Sequence, residues 1–298
     1  MSQPPSGRGS TSISELRSVA ALAFVDDLEA PQLDPETEHH LLDVLRLADG
    51  TTVAISDGAG SWQACRLERE HRSRAPGRSA AAAGRAEAGG RSPVAGRAEA
   101  GGRVTLVPLG KVRTVPPSSP PIGVGFALTK GDRPEWTVQK LTEIGVDRIV
   151  PLFTERTIVR IEGAALDQRV ERYRRIAREA GTQSRRLRLP RIAAPLPLLQ
   201  FIASLGAASA GVALAEPGGM PLDDRTRTVL VGPEGGFSER ELAGTERHVG
   251  LGPTVLRAET AALVAGALLV AKRSERLSAR FTMPTCENPV PYPENSAP

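Results

Sequence analysis

Short apolar runs alternate with segments of helical periodicity along the second half of the chain. The predicted strands are 122–127, 149–152, 209–215, 229–232 and 255–256. The predicted helices are 134–144, 164–184, 196–205 and 260–276, with a further helix beginning at Ser238. This alternation predicts an α/β fold, in which a mostly parallel sheet carries helices on both faces. Ligands of such sheets bind at the carboxyl ends of the strands.

The first half of the chain has a different pattern. A short helix over 39–47 precedes predicted strands at 51–55, 61–67 and 104–109, with an Asp-Gly-Ala-Gly turn after the first strand. Short strands joined by glycine turns are typical of a small β-barrel. We therefore expect a barrel domain over 19–121 and an α/β domain over 122–280.

Three segments lack hydrophobic periodicity. Residues 1–18 and 281–298 are polar and rich in small residues or proline, which predicts disordered termini. Residues 70–103 interrupt the barrel, and the eight residues at 84–91 recur without change at 96–103. Because one such unit has no apolar face to bury, we expect a long disordered loop rather than a structural repeat.

Composition narrows the class of protein. Hydrophobic residues make up 40% of the chain and the formal net charge is +4, which weakly favours an acidic partner such as a nucleic acid. The two cysteines exclude a disulfide framework and a cysteine-rich zinc site, and Cys65 is expected to be a small buried hydrophobe. No secretory signal is visible, and the longest apolar run, 261–271, is too short to span a bilayer. We expect a cytoplasmic protein without a membrane anchor or a bound metal.

The segment 229–238 carries the clearest chemical signal. An apolar strand leads into Gly232-Pro233-Glu234-Gly235-Gly236, and Ser238 with Glu241 forms a predicted capping box at the start of the next helix. Glycines allow close approach of the backbone, and a strand-to-helix turn exposes free N–H groups. Both a ligand loop and a purely structural turn fit this pattern. A dinucleotide-binding glycine motif and a P-loop are absent from the sequence.

Ordered blocks of the sequence resemble a known family. Segments 231–238 and 255–262 are similar to the knotted SPOUT methyltransferases, specifically to the RsmE-type branch. The supporting blocks, in chain order, are 39–47, 130–136, 139–146, 149–151, 154–156, 175–180 and 183–186. The resemblance spans residues 24–276 apart from the insertion, and the first of these blocks resembles the start of the family's PUA-like barrel.

The resemblance implies an architecture and an activity. A C-terminal SPOUT domain with a trefoil knot and an N-terminal PUA-like β-barrel would form a homodimer. The enzyme would use S-adenosylmethionine to methylate N3 of one uridine in 16S rRNA, either in naked rRNA or in the assembled small ribosomal subunit. Three loops would hold the cofactor. The cofactor-binding residues carried over are Leu214, Gly232, Pro233, Glu234, Gly235, Leu251, Leu256, Arg257, Thr260 and Ala261.

Chemistry suggests roles for the charged residues. Arg257 is expected to stabilise negative charge on the uracil carbonyls, and Glu234 or Glu259 to orient the base or accept the N3 proton. Glu259 also fits a simpler role at the start of the predicted helix 260–276, where its negative charge interacts favourably with the helix dipole. The candidate RNA-binding residues are Arg46, Lys130, Arg133, Lys140 and Arg186. A solvated basic surface is the alternative for this set.

Two other functions fit the sequence. A ribose 2′-O-methyltransferase of the same superfamily would act on rRNA or tRNA and would give a different methylated nucleoside. A non-enzymatic RNA-binding protein would use only the barrel and the basic surface, and would bind no cofactor.

Overall fold

The computed structural model describes residues 15–69, 104–159 and 161–280. They form two compact units. The first contains 15–69, 104–116 and 181–188, and the second contains 117–159, 161–180 and 189–280. The expected disordered segments 1–14, 70–103 and 281–298 lie outside the described residues. Within the described part of the chain, no helix is long and apolar enough to cross a membrane.

The first unit is built around a mixed sheet. Its elements are β1 (Leu22–Phe24), α1 (Pro35–His39), a π-helix (His40–Val44), β2 (Thr52–Ser56), β3 (Ser61–Arg69), β4 (Val104–Pro108) and β5 (Arg113–Thr114). The strand order is β1-β2-β3-β4, with β5 beside β3. β1 runs parallel to β2, and the remaining pairs are antiparallel. Cys65 is buried in the core of this unit as expected, and burial raises the pKa of its thiol to about 11.

Two boundary predictions in the first unit are wrong. Residues 15–18 form a helical turn rather than a disordered end, because Leu16 and Val19 are buried against the unit. The helix predicted over 39–47 begins earlier, at Pro35, since the Asp34 carboxylate caps its first turn by accepting from the Thr37 N–H at 2.8 Å. It ends earlier too, as a π-helical turn at Val44.

Residues 181–188 belong to the first unit, although the sequence pattern placed them in the second domain. Arg185 adopts a left-handed backbone conformation with φ of 53°. Its guanidinium donates to the carbonyl oxygens of Leu16 and Arg17 at 2.7 and 2.9 Å. The Leu187 carbonyl accepts from the Gly60 N–H at 3.0 Å. These contacts bind a distant segment of the chain to the unit, which periodicity along the sequence cannot reveal.

The second unit alternates strands and helices. Its elements are β6 (Gly123–Ala127), α2 (Arg133–Ile144), β7 (Arg148–Phe153), α3 (Ala164–Ser184), β8 (Arg191–Ile192), β9 (Leu196–Pro197), α4 (Leu198–Ser204), a 3₁₀ helix (Gly206–Gly211), β10 (Val212–Met220), β11 (Thr228–Val231), α5 (Glu239–Leu242), β12 (His248–Val249) and α6 (Ala258–Arg280). The strand predicted at 255–256 is wrong. These residues lie in an irregular loop, and the strand that joins the sheet here is β12.

The seven strands of the second unit are all parallel, in the order β12-β10-β11-β6-β7-β8 with β9 beside β7. Neighbouring residues of a strand face opposite sides, so Ile149 and Val150 enter different cores. Helices α2, α3 and α6 pack on the side of the sheet that Ile149 faces. Helices α4 and α5 pack on the side that Val150 faces. The predicted α/β fold with helices on both faces is therefore confirmed.

An irregularity in β10 brings two loops close together. Ala215 and Met220 both pair with Val249, so the register of β10 against β12 shifts between them. A Cβ atom on Gly219 would lie 2.6 Å from the carbonyl carbon of Val249, and the Gly250 N–H donates to the Met220 carbonyl at 2.9 Å. The two backbones lie so close here that there is no room for a side chain between them. This close contact holds the end of β10 beside the loop after β12.

Candidate functional site

Three loops at the carboxyl ends of neighbouring strands enclose one cleft, with a volume of about 350 Å³. We name it the first cleft. The irregular second half of β10 contributes Ala215–Pro217, and the end of β11 with the loop after it contributes Val231–Phe237. The remaining lining residues are Arg156, Leu251, Gly252, Thr254, Val255, Leu256, Ala258 and Ala261. The glycine-bearing bends singled out in the sequence therefore meet in a single pocket, at the edge where parallel sheets bind ligands.

A tight turn shapes the loop after β11. The Gly236 N–H donates to the Pro233 carbonyl at 2.8 Å, and Gly236 takes a positive φ of 70°. At Gly232 a Cβ atom would lie 3.2 Å from the Phe237 ring, so glycine lets that ring pack beneath the turn. The predicted capping box between Ser238 and Glu241 is confirmed at the start of α5.

Glu241 is buried and joins two loops. One oxygen of its carboxylate accepts from the Ser238 N–H at 2.9 Å, and the other accepts from the Glu155 N–H at 2.8 Å. The turn after β7 is thereby fixed beside the turn after β11, and the Arg156 guanidinium donates to the Gly235 carbonyl. Sequence reasoning gave Arg156 no role. Its place directly after a buried parallel strand is the signal that could have found it.

Most of the residues expected to bind the cofactor line the first cleft. These are Gly232, Pro233, Glu234, Gly235, Leu251, Leu256 and Ala261. The side chain of Leu214 lies elsewhere, fully buried in the core, and its neighbour Ala215 lines the cleft instead. Arg257 and Thr260 are exposed and do not line it. Helical spacing explains this, because Ala258 and Ala261 are three residues apart at the start of α6 and so lie on the face of the helix that is turned toward the cleft. Arg257 and Thr260 are not on that face.

A charge cluster joins residues that the sequence analysis assigned to different roles. Arg133 Nη1 lies 2.9 Å from Glu234 Oε1, and Arg133 Nε lies 3.8 Å from Glu259 Oε1. The other oxygen of Glu259 is buried without a hydrogen-bond partner among the described residues. Arg257 stays outside the cluster. Its side chain is exposed and forms no hydrogen bond or ion pair with any residue the structure describes.

The five candidate RNA-binding residues are divided between the two units. Lys130 and Arg133 lie together in the second unit. Lys140, in α2, is paired with Glu143 at 2.9 Å. Arg46 and Arg186 belong to the first unit; Arg46 is exposed, whereas Arg186 is half-buried and donates to the Arg188 carbonyl at 2.5 Å.

Lys130 and Arg133 line a second cleft of about 610 Å³. It is formed by residues 128–133, 156–159 and 233–235. Arg156, Pro233, Glu234 and Gly235 line both clefts. The turn after β11 is therefore a wall that the two clefts share.

Glu216 is a second residue of the first cleft that sequence reasoning left without a role. Burial raises the pKa of its carboxyl group, and the nearby His248 and Arg156 act in the opposite direction. The cleft thus contains a partly desolvated carboxylate opposite a guanidinium. Among the described residues, no cluster of three or more His, Cys, Asp or Glu side chains could hold a metal ion.

Comparison with known proteins identifies relatives. A family model described as an RNA methyltransferase domain matches residues 116–270. The ribosomal RNA small subunit methyltransferase E of Mycobacterium tuberculosis is 30% identical over 83% of this chain and 90% of its own length. A Legionella pneumophila protein solved in complex with the cofactor SAM aligns with a TM-score of 0.62 and 26% identity over 84% of this chain and 96% of its own.

The fold is also that of the ribosomal RNA small subunit methyltransferase E from Neisseria gonorrhoeae, solved with bound S-adenosyl methionine. The TM-score is 0.65 at 23% identity, over 84% of this chain and 97% of that one. The similarity extends over both units of the structure rather than over the α/β unit alone.

We expect Glu241→Ala to lower the free energy of unfolding by about 2 kcal/mol, because it leaves two backbone N–H groups without their acceptor. Urea denaturation measures this change. Glu239→Ala is the matched control, since Glu239 is an exposed residue of the same helix, and it should change the free energy by less than about 0.5 kcal/mol. Equal losses in the two variants would contradict the anchoring role of Glu241.

We expect Glu216→Gln to raise the melting temperature at pH 7. Folding raises the pKa of Glu216, so the folded state is destabilised at any pH where this carboxyl group is charged. The destabilisation disappears when the pH falls below the ordinary range of carboxyl pKa values, because the group is then protonated in both the folded and the unfolded state. The gain over wild type should therefore shrink as the pH falls toward about 4. Thermal melts across this range check it, with the exposed Glu246→Gln as control. A variant no more stable than wild type at pH 7 would refute this assignment.

Proposed function

Because the chain belongs to the ribosomal RNA small subunit methyltransferase E family, we propose that it uses S-adenosylmethionine to methylate N3 of one uridine in 16S rRNA. The observation that carries the proposal is the first cleft, where three loops meet at the carboxyl edge of the parallel sheet. The resemblance of the sequence to the SPOUT methyltransferases implied that the cofactor binds at these loops.

The residues of the first cleft fit this cofactor. Leu251, Leu256 and Ala261 offer apolar surface for an adenine ring, and the glycine turn after β11 offers backbone groups. The Glu216 carboxylate complements the positive charges of the sulfonium and amino groups, and the Arg156 guanidinium complements the carboxylate of the methionine part. When bound, the cofactor supplies an activated methyl group on a positively charged sulfur.

The protein must also remove the N3 proton and align the base. Arg257 follows Leu256 and precedes Ala258, both of which line the first cleft. Its exposed guanidinium is available to stabilise negative charge on the uracil carbonyls. Glu234 lies on the wall of the cleft and orients the base or accepts the N3 proton. Glu259 holds Arg133, and through it Glu234, in position.

We also propose a trefoil knot in the second unit and a PUA-like barrel in the first. The close approach of Gly219 to Val249 and Gly250 supports a trefoil knot in the SPOUT manner. The short strands of the first unit support a PUA-like barrel that binds RNA through Arg46 and Arg186. We place the protein in the cytoplasm as a homodimer, with Leu214 contributing to the cofactor site only through its backbone.

The decisive experiment uses small ribosomal subunits, and separately naked 16S rRNA, from cells that lack the protein. After incubation with the enzyme and S-adenosylmethionine, the RNA is digested and its nucleosides are identified by mass spectrometry. 3-Methyluridine is the expected product. A 2′-O-methylated nucleoside would assign the ribose-methylating activity instead. No product, together with no thermal stabilisation by S-adenosylhomocysteine, would identify a non-enzymatic RNA-binding protein.

Arg257→Ala should lower turnover by a factor of about 100 or more, because it removes charge stabilisation from the reacting base. Stabilisation by S-adenosylhomocysteine should not change, since Arg257 does not line the first cleft. Arg225→Ala is the control at another exposed arginine. Wild-type turnover in Arg257→Ala would remove this residue from the mechanism.

A further inference from the structure

The second cleft lies against the first without being part of it. We propose that it receives the nucleotide that is methylated, so that the acceptor base meets the methyl donor of the first cleft over the rim of the turn Pro233–Gly235. This inference rests on the proposed function and adds to it the place of the substrate. Its basis is the set of residues that line both clefts, because they make the clefts adjacent, and the two reactants must come into direct contact for the methyl group to transfer.

The size of the second cleft suits a nucleotide. Its volume of about 610 Å³ exceeds that of the first cleft and falls within the range of small-molecule sites. A base within an RNA helix is unreachable, so it must be extruded or already unpaired before a protein can act on it. An extruded nucleotide needs an open cavity of this kind beside the methyl donor.

The charges of the second cleft favour a polyanion. Lys130, Arg133 and Arg156 face two acidic residues, Asp132 and Glu234. Glu234 is already paired with Arg133 at 2.9 Å. Lys130 is exposed and makes no hydrogen bond or ion pair with another residue that the structure describes. It can therefore neutralise a phosphate without first breaking an existing contact.

Apolar side chains line the rest of the second cleft. Leu128 is buried at its base, and Val159 and Pro233 add further apolar surface. Ile158 is 77% exposed, which is unusual for so large an apolar side chain. A flat nucleobase would cover Ile158 while its phosphate contacts Lys130. The second cleft thus offers apolar surface to the base and a cation to its phosphate.

Two arginines hold the wall between the clefts. Arg156 donates to the Gly235 carbonyl, and Arg133 donates to the Glu234 carboxylate. Both arginines line the second cleft. A nucleotide that contacts either guanidinium is therefore positioned relative to the turn that also lines the first cleft.

The reaction at this place breaks one N–H bond and one S–C bond. The N3–H bond breaks and the N3 electron pair forms the bond to the methyl carbon. The electrons of the S–CH3 bond remain on sulfur, and the proton leaves through Glu234 or to water.

Crosslinking tests the location directly. Small subunits are reconstituted with 16S rRNA that carries one 4-thiouridine at the position found to be methylated, and are irradiated with the full-length protein and S-adenosylhomocysteine. Peptides are then mapped by mass spectrometry. Crosslinks within 128–133 or 156–159 are expected. Crosslinks confined to other segments would overturn the inference, while leaving the methylation itself established.

Two substitutions test the site by kinetics. Thr129→Tyr should obstruct the second cleft and lower kcat/KM for small subunits about tenfold or more, whereas Thr129→Ser should not. Lys130→Ala should raise KM about threefold or more, against Lys272→Ala as the matched lysine control. Neither Thr129 nor Lys130 lines the first cleft, so stabilisation by S-adenosylhomocysteine should not change in either variant.

The outcomes separate the two proposals. Wild-type kinetics in Thr129→Tyr and Lys130→Ala would place the acceptor base elsewhere, with the methyltransferase function intact. Loss of S-adenosylhomocysteine binding in these variants would show that the clefts do not act independently, and would also overturn the inference. A wild-type protein that neither binds S-adenosylhomocysteine nor methylates RNA would refute the proposed function, and this inference with it.

Discussion

A buried carboxylate must find hydrogen-bond donors, and this requirement at Glu241 organises the carboxyl edge of the sheet. Its two oxygens take backbone N–H groups from Ser238 and Glu155, which belong to turns after different strands. With the two turns fixed, Arg156 reaches the Gly235 carbonyl. The shape of both clefts depends on this arrangement, because the turn after β11 lines each of them.

The arginine and carboxylate side chains around that turn divide into two groups. Arg133 bridges Glu234 and Glu259 and so links the starts of α2 and α6 to the turn after β11. The side chain of Arg257, although this residue lies next to the first cleft, makes no hydrogen bond or ion pair with the described residues. Paired charges hold a geometry, whereas an unpaired exposed cation is available to a substrate. This division fits the proposed mechanism, in which Arg133 and Glu259 position Glu234, and Arg257 stabilises charge on the base.

The close backbone contact at Gly219 explains why segments far apart in sequence meet. β10 lies between β12 and β11 in the sheet, so the loops that follow all three emerge at one edge. Gly219, near the end of β10, packs against Val249 and Gly250 with no space for a side chain. A parallel sheet provides the common edge, and the close contact at Gly219 brings the segments at that edge near enough to enclose a pocket.

The sequence alone determined the class of fold, most of the helices and strands of the second unit, the capping box, and the loops that enclose the first cleft. These follow from local periodicity, from glycine and cap chemistry, and from ordered motifs. Only the tertiary structure decided which side chains face the cleft, the pairing of Arg133 with Glu234 and Glu259, the place of residues 181–188 in the first unit, and the second cleft. Such features depend on contacts between distant segments, which local patterns in a sequence do not encode.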